Sequence, residues 1–411
     1  MADLRPFRGW YYDCSKADAS QLLAPPYDVL DDAERKALAA KHDKNSVRVI
    51  LPEGDGDAKY PEASRLLESW RNSGALVQSQ RPAVYRYHQV FEHPLEPGRT
   101  MTRRGFIAAV RLHDFAERII LPHERTLKGP KIDRLKLMDA TRTHTSQIFT
   151  LYSDPSGTSD QLFEAVERTE PTIDGVTDDG TRHRMWECSD AELIGDLRRI
   201  VGPLSLYIAD GHHRYETMLA MRKQIEGEHG GLSANSSANF GTLFVANMSD
   251  PGMVVLPTHR LIHSVGDFDA ERMLSAASER FEMHEIDPQP GVIRDALARA
   301  DRPAFAAVFP ARRKATVMVL RKPPETLKGV LGELDVSVLH SLVLEDILGI
   351  DKAAQAAKTN IEYLKTDGKA MAAIEAGKGQ VCFMMRATPV SQVKACSDAG
   401  EFMPQKSTFF V

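Results

Sequence analysis

Asp210, Gly211, His212, His213 and Arg214 follow one another in the run Ala-Asp-Gly-His-His-Arg-Tyr-Glu-Thr at 209–217. An acid, a residue with no side chain and three nitrogen-bearing side chains, in this order, suit the handling of a phosphate. The Asp210 carboxylate can hold Mg2+ or accept a proton from a substrate hydroxyl. In the plainer reading it only caps the helix that follows. Gly211 lets a ligand approach the backbone, and His212, His213 and Arg214 add donors at the mouth. The two histidines are adjacent, so on a helix they point about 100° apart and do not naturally share one metal ion. No H-E-x-x-H spacing accompanies them, and no zinc is expected.

A second constellation is Leu-Pro-His-Glu-Arg-Thr at 121–126, followed by Lys128, Lys131, Arg134 and Lys136. Glu124 lies among basic neighbours, which suits a general base or a metal-holding carboxylate, with His123 beside it. Arg125 and Lys128 can face a polyphosphate as a fork and a point charge. A solvated charged loop would read the same way. A third is Asn247-Met-Ser-Asp-Pro-Gly252 with Pro257-Thr-His-Arg260, for which turn and loop chemistry is the simpler account. If the strand before Asn247 neighbours the one before Asp210, their ends meet at one sheet edge and bring His259 toward a substrate. Tyr27 and Asp28, after two prolines, form a wall of that cleft or merely a rigid loop.

The elements that must position these residues are legible in the apolar spacing. Leu204–Ile208 reads as a short buried strand, and Tyr215, Met218, Leu219, Arg222 and Ile225 mark one helix face. A strand therefore ends at Asp210-Gly211 and a helix opens at about His212. The first turn of a helix carries unpaired N–H groups and partial positive charge, so this is an anion site in outline. Elsewhere, 83–92 with 102–112 and 172–187 read as hairpins, 46–51 as a strand, 61–73 as a helix stopped by Gly74, and 148–152 as a strand. Beyond 267, helices at 269–281, 336–348 and 369–376 alternate with strands at 305–309, 316–320 and 380–385. The expected fold class is α/β or α+β on a mixed sheet. Residues 1–265 form the main domain and 266–411 a smaller C-terminal α/β domain.

The length of 411 residues accommodates two or three domains. A net charge of −5 gives no bulk attraction to nucleic acid or anionic lipid, and no apolar run approaches membrane-spanning length. Cys14, Cys188, Cys382 and Cys396 form no C-x-x-C pair, and the first residues lack the apolar core of a signal peptide. A cytoplasmic protein with reduced thiols is expected. There is no G-x-x-x-x-G-K-[ST], no G-x-G-x-x-G after a strand and no G-x-S-x-G, which removes the commonest nucleotide and hydrolase motifs.

Five motifs in order carry a resemblance over essentially the whole chain. They are Arg-Pro-Phe-Arg-Gly at 5–9, Ala-Pro-Pro-Tyr-Asp-Val at 24–29, Leu-Pro-His-Glu-Arg-Thr at 121–126, Tyr-Ile-Ala-Asp-Gly-His-His-Arg-Tyr-Glu-Thr at 207–217 and Pro-Thr-His-Arg-Leu at 257–261. Together they resemble the prokaryotic family called domain of unknown function 1015. The Asp-Gly-His-His-Arg run is also similar to the nucleotide-phosphate motif of the ParB/sulfiredoxin superfamily, which includes partition proteins, sulfiredoxins and free serine kinases. That resemblance implies a ParB/sulfiredoxin-like unit in which Gly211, His212, His213 and Arg214 hold nucleotide phosphates. It also implies an acid before the glycine, Asp210, and a separate glutamate base, for which Glu124 is the choice.

The expected function is a nucleotide-dependent phosphotransferase acting on a small hydroxyl metabolite, with free serine the foremost acceptor. ATP or ADP would be the donor and Mg2+ would sit near Asp210. Tyr27, Asp28, His123 and His259 are the candidate substrate contacts. A phosphatase of an ester such as phosphoserine uses the same site with water as acceptor. The alternative from another class is a ParB-like nucleotide-binding regulator. Against it stand the net charge and the lack of a basic recognition helix.

Overall fold

The computed structural model describes residues 1–126, 128–310 and 312–411, the side chains of 128–130 excepted. The chain folds into two compact units. One comprises Met1–Pro122 and Thr126–Met253, the other His123–Arg125 and Val254–Val411. The expected boundary at 265–266 lies inside the second unit.

Among the described residues, nine strands form the main sheet of the first unit. Leu206–Asp210 lies between Ile120–Leu121, to which it is parallel, and Ile148–Tyr152, to which it is antiparallel. Phe240–Asn247 comes next, parallel to Ile148–Tyr152, and then Thr100–Arg111. The outer strands follow as the expected hairpins, Val84–Glu92 against Thr100–Arg111 and Ile173–Val176 against Arg182–Cys188. The sheet is mixed, as expected. Its central strands bury Phe106, Ile148, Leu206, Ile208, Leu243 and Val245 in one apolar core. Tyr215 and Met218 of the helix His212–His229 pack on it, which explains the apolar spacing that marked that helix.

Two expectations need correction here. Residues 46–51 are not a strand. Val47–Ile50 is a single helical turn, begun by the Asn45 carboxamide accepting the Val47 N–H at 3.0 Å. Its β-branched residues favour extended backbone in isolation, but the local side-chain bond and burial override that preference. The strands before Asp210 and Asn247 are also not neighbours. Ile148–Tyr152 separates them and runs against one and along the other, with Asp210 opposite Phe149 and Asn247 opposite Tyr152. The two strand ends therefore leave the sheet at opposite edges.

Among the described residues the second unit holds a six-stranded antiparallel sheet. The alternation in 304–320 does not separate core from solvent. Phe305, Ala307, Met318 and Leu320 enter one core while Ala304, Ala306, Val317 and Val319 enter another on the opposite face. Helices cover both faces, including Ala270–Ser278 and Pro290–Ala298. Residues 259–262, read as part of a loop, are a buried strand between Val381–Met384 and Ile361–Leu364. Two adjacent polar residues, His259 and Arg260, hid that strand from any apolar pattern.

Candidate functional site

The signature occupies a strand–turn–helix. Leu206–Asp210 ends the strand, Gly211 turns the chain at φ 95° and the helix runs His212–His229. Only glycine takes that φ without strain. A Cβ at 211 would also stand 3.1 Å from the Arg214 guanidinium. Gly211 offers no side chain to cap the helix, and the N-terminus of a helix carries partial positive charge that favours an anion. The plainer reading of Asp210 as N-cap is thus displaced by one residue, because Gly211 holds the cap position.

The Asp210 side chain is half exposed, while Arg214 is buried. Arg214 turns back to Oδ2 of Asp210 and donates from its other terminal nitrogen to Ser146 Oγ at 2.7 Å and the Gln147 carbonyl at 2.6 Å. The arginine therefore organises the turn and holds the half-exposed carboxylate through Oδ2. Tyr215 fixes the first turn of the helix from behind, its hydroxyl donating to the His113 carbonyl at 2.8 Å and accepting the His113 N–H at 2.9 Å. His212 is buried and His213 half-buried.

Arg214 also lines a small cleft with Tyr27, Arg134, Thr145, Ser146 and Thr217. The Arg134 guanidinium lies 4.0 Å from the Tyr27 ring centre, a cation–π stack. Burial pushes the Tyr27 hydroxyl up, with Asp28 adding to the shift and Arg134 and Arg214 opposing it. Tyr27 thus stands within electrostatic reach of Arg214, while Asp28 is exposed on the 3-10 turn Tyr27–Val29. Sequence reasoning missed Thr145 and Ser146. The available signal was the hydroxyl-rich run Thr141–Ser146 just before the strand that pairs with the signature strand.

The two main motifs meet through Thr126 and Glu216. Thr126 donates to Glu216 Oε1 at 2.8 Å, and Lys131 bridges Thr126 at 3.0 Å and Glu216 Oε2 at 2.5 Å. His123, Glu124 and Arg125 of the earlier motif belong to the second unit. Glu124 Oε1 accepts the Ser407 N–H at 3.1 Å. His123, fully buried, contacts Thr408 through Nε2 at 3.1 Å, and Arg125 stacks on Phe402. The Lys128 side chain lies outside the described residues.

His259, expected at the substrate, is almost fully buried in the second unit. Its Nε2 meets Asp367 Oδ1 at 2.8 Å and its Nδ1 accepts the Met385 N–H at 3.1 Å. An acceptor at Nδ1 puts the ring proton on Nε2. Both ring nitrogens are engaged within the fold, so the placement gives His259 a structural role. Among the described residues no three His, Cys, Asp or Glu side chains converge as a metal site. One carboxylate such as Asp210 still fits Mg2+ carried in on phosphates, because Mg2+ keeps its waters and takes few protein ligands.

A sequence profile described as "Protein of unknown function (DUF1015)" matches residues 4–337. The chain belongs to this family. No curated protein matches this DUF1015 chain. Among solved structures it is similar to a conserved hypothetical protein from Pyrococcus furiosus, at 15% identity and TM-score 0.35, over 71% of this chain and 87% of that one. A free serine kinase in complex with AMP gives 14% identity and TM-score 0.36, over 71% and 84%. SbnI from Staphylococcus aureus, with a C-terminal truncation, gives 10% and 0.34, over 74% and 82%. No helix among the described residues is long and apolar enough to cross a membrane.

Proposed function

We propose that this DUF1015 protein is a nucleotide-dependent phosphotransferase acting on a small hydroxyl metabolite, with free serine the first acceptor to test. One observation carries the reading. A half-exposed carboxylate, Asp210, stands at a strand end beside a glycine-capped helix N-terminus, and Arg214 holds it by one oxygen only. The similarity of Asp-Gly-His-His-Arg to the ParB/sulfiredoxin nucleotide-phosphate motif supports the same reading.

In this reading the phosphates of ATP or ADP would lie at the N-terminus of the helix His212–His229, and Asp210 would hold Mg2+ carried in on them, which would supply charge neutralisation. The acceptor hydroxyl would give its proton to the Asp210 carboxylate. A new O–P bond forms as the bond to the bridging oxygen breaks, and ADP or AMP leaves. The positive end of the helix would offset charge on the transferring group, since such transfer is mostly positioning and electrostatic stabilisation. The cleft of Tyr27, Arg134 and Ser146 would seat the acceptor.

The test offers ATP, ADP and pyrophosphate against serine and other small alcohols, with phosphoserine hydrolysis in parallel. Donor-dependent phosphorylation of an alcohol is expected. Hydrolysis of phosphoserine without a donor would make the protein a phosphatase. No turnover and no nucleotide binding would sink both.

A further inference from the structure

At the sheet edge opposite the signature, the first unit has a second pocket, of about 370 Å³. It opens beyond the carboxyl ends of two adjacent parallel strands, Ile148–Tyr152 and Phe240–Asn247. Crevices outside such strand ends are where α/β sheets usually bind ligands. The loops after the two strands are laced together by Asn247, whose amide donates to the Asp154 carbonyl at 2.8 Å and accepts the Asp154 and Ser249 N–H groups at 3.2 and 3.1 Å. Gly252 packs so closely that a Cβ there would fall 2.0 Å from the Thr102 carbonyl oxygen. The walls are set before any ligand arrives.

Most charged groups in the pocket are already paired. Arg86 holds Asp160 at 2.9 Å and Glu167 at 2.7 Å, and Asp154 takes the Ser159 N–H and hydroxyl. Asp250 differs. Its side chain is only 3% exposed, and Oδ1 accepts the Gly252 N–H at 2.7 Å. Its Oδ2 meets nothing nearer than the half-exposed Arg104 guanidinium at 3.5 Å, too far for a good hydrogen bond. Burial pushes the Asp250 carboxyl up, the mark of an ion short of partners. Among the described residues no three His, Cys, Asp or Glu side chains converge here as a metal site.

We propose that this pocket binds a free α-amino acid, its ammonium donating to Asp250 Oδ2 and its carboxylate accepting from Arg104. A buried carboxylate beside a loosely held arginine is the complement of a zwitterion, and each half of the ligand satisfies one half of the pair. The site is distinct from the turn at 210–214, so the inference stands apart from the phosphotransferase reading.

Calorimetric titration of the full chain with the common α-amino acids tests it, beside amines lacking the carboxylate and hydroxy acids lacking the amine. At least one amino acid is expected to saturate the protein. Asp250→Asn and Arg104→Gln should each weaken it roughly ten-fold or more, the scale of one charge-assisted bond. Asp210→Asn should leave it unchanged, which separates this pocket from an acceptor site at the signature. Arg104→Gln changes a half-exposed side chain, so a fold-intact variant is assured even if Asp250→Asn unfolds. The proposal is overturned if no amino acid binds, if Arg104→Gln binds as tightly as the parent, or if hydroxy acids bind equally well.

Discussion

Arg214 reaches back one helical turn to the carboxylate of Asp210 and, with its other terminal nitrogen, grips Ser146 and Gln147. The arginine thereby joins the strand end, the helix start and the segment before a neighbouring strand. A planar fork with several donors can do this at once, and an ammonium cannot. Arg214→Lys is expected to keep the charge and lose the geometry. Nucleotide affinity, followed by titration with ADP, should fall roughly ten-fold, the worth of one charge-assisted hydrogen bond. Unchanged affinity would mean that the turn holds its shape without the fork.

Asp210→Asn replaces a half-exposed carboxylate by an isostere, so the thermal midpoint should move little. Phosphate transfer should drop by about 10²-fold or more, the usual loss when a charge-stabilising group leaves a reacting centre. The Mg2+ dependence of whatever remains should flatten. Full activity in this variant removes the signature acid from the chemistry.

Gly211→Ala meets two obstacles, the φ of 95° and the guanidinium 3.1 Å from the added Cβ. A stability loss of about 1–3 kcal/mol is expected from the strained backbone. It should appear in urea as a lower midpoint at unchanged slope. If the proposed phosphate site is right, nucleotide binding should weaken further than stability alone explains, because the shift falls on the helix start assigned to it.

His340 sets an acid limit on the second unit. Burial, aided by Arg260, pushes its ring down to about 3, and its Nδ1 lies 2.7 Å from Gln355 Oε1. The unfolded chain takes a proton near 6.5 that the folded ring refuses. Stability is thus fully present above pH 6.5 and is lost as pH falls toward 3. His144, pushed down to about 4 by burial, acts with the same sign in the first unit. Thermal unfolding across that window should show the midpoint of His340→Gln falling less steeply than the parent's. Carboxylates act lower. Burial would raise Glu167, but His88 and Arg86 outweigh it and hold it at about 2, so its share is lost only below about 4.5.

The strand, turn and helix around 210 were legible because three local signals agreed: an apolar run, a glycine and an apolar helical face. The hairpins at 84–111 and 173–188 were legible for the same reason, through alternation interrupted by turn residues. What stayed hidden depended on partners distant in sequence. The strand at His259–Ile262 carries a histidine and an arginine whose burial is tolerable only because Asp367, Thr258 and the Lys406 carbonyl receive them. The clamp of Arg214 on Ser146 needs residues 68 positions apart, which spacing cannot announce. Strand direction is another such property. Nothing in Leu206–Asp210 or Phe240–Asn247 says that they point opposite ways.

Ile148–Tyr152 is the beam from which both clefts hang. Its neighbours run in opposite senses, so a span of only four residues, Phe149 to Tyr152, faces the ends of both. At about 3.3 Å per residue the two register points are roughly 10 Å apart. Each cleft draws its loops from separate stretches of chain, one from 210–214 and the other from 154–156 and 247–252. The two mouths can therefore be re-cut independently, and a substitution in one leaves the timber under the other in place.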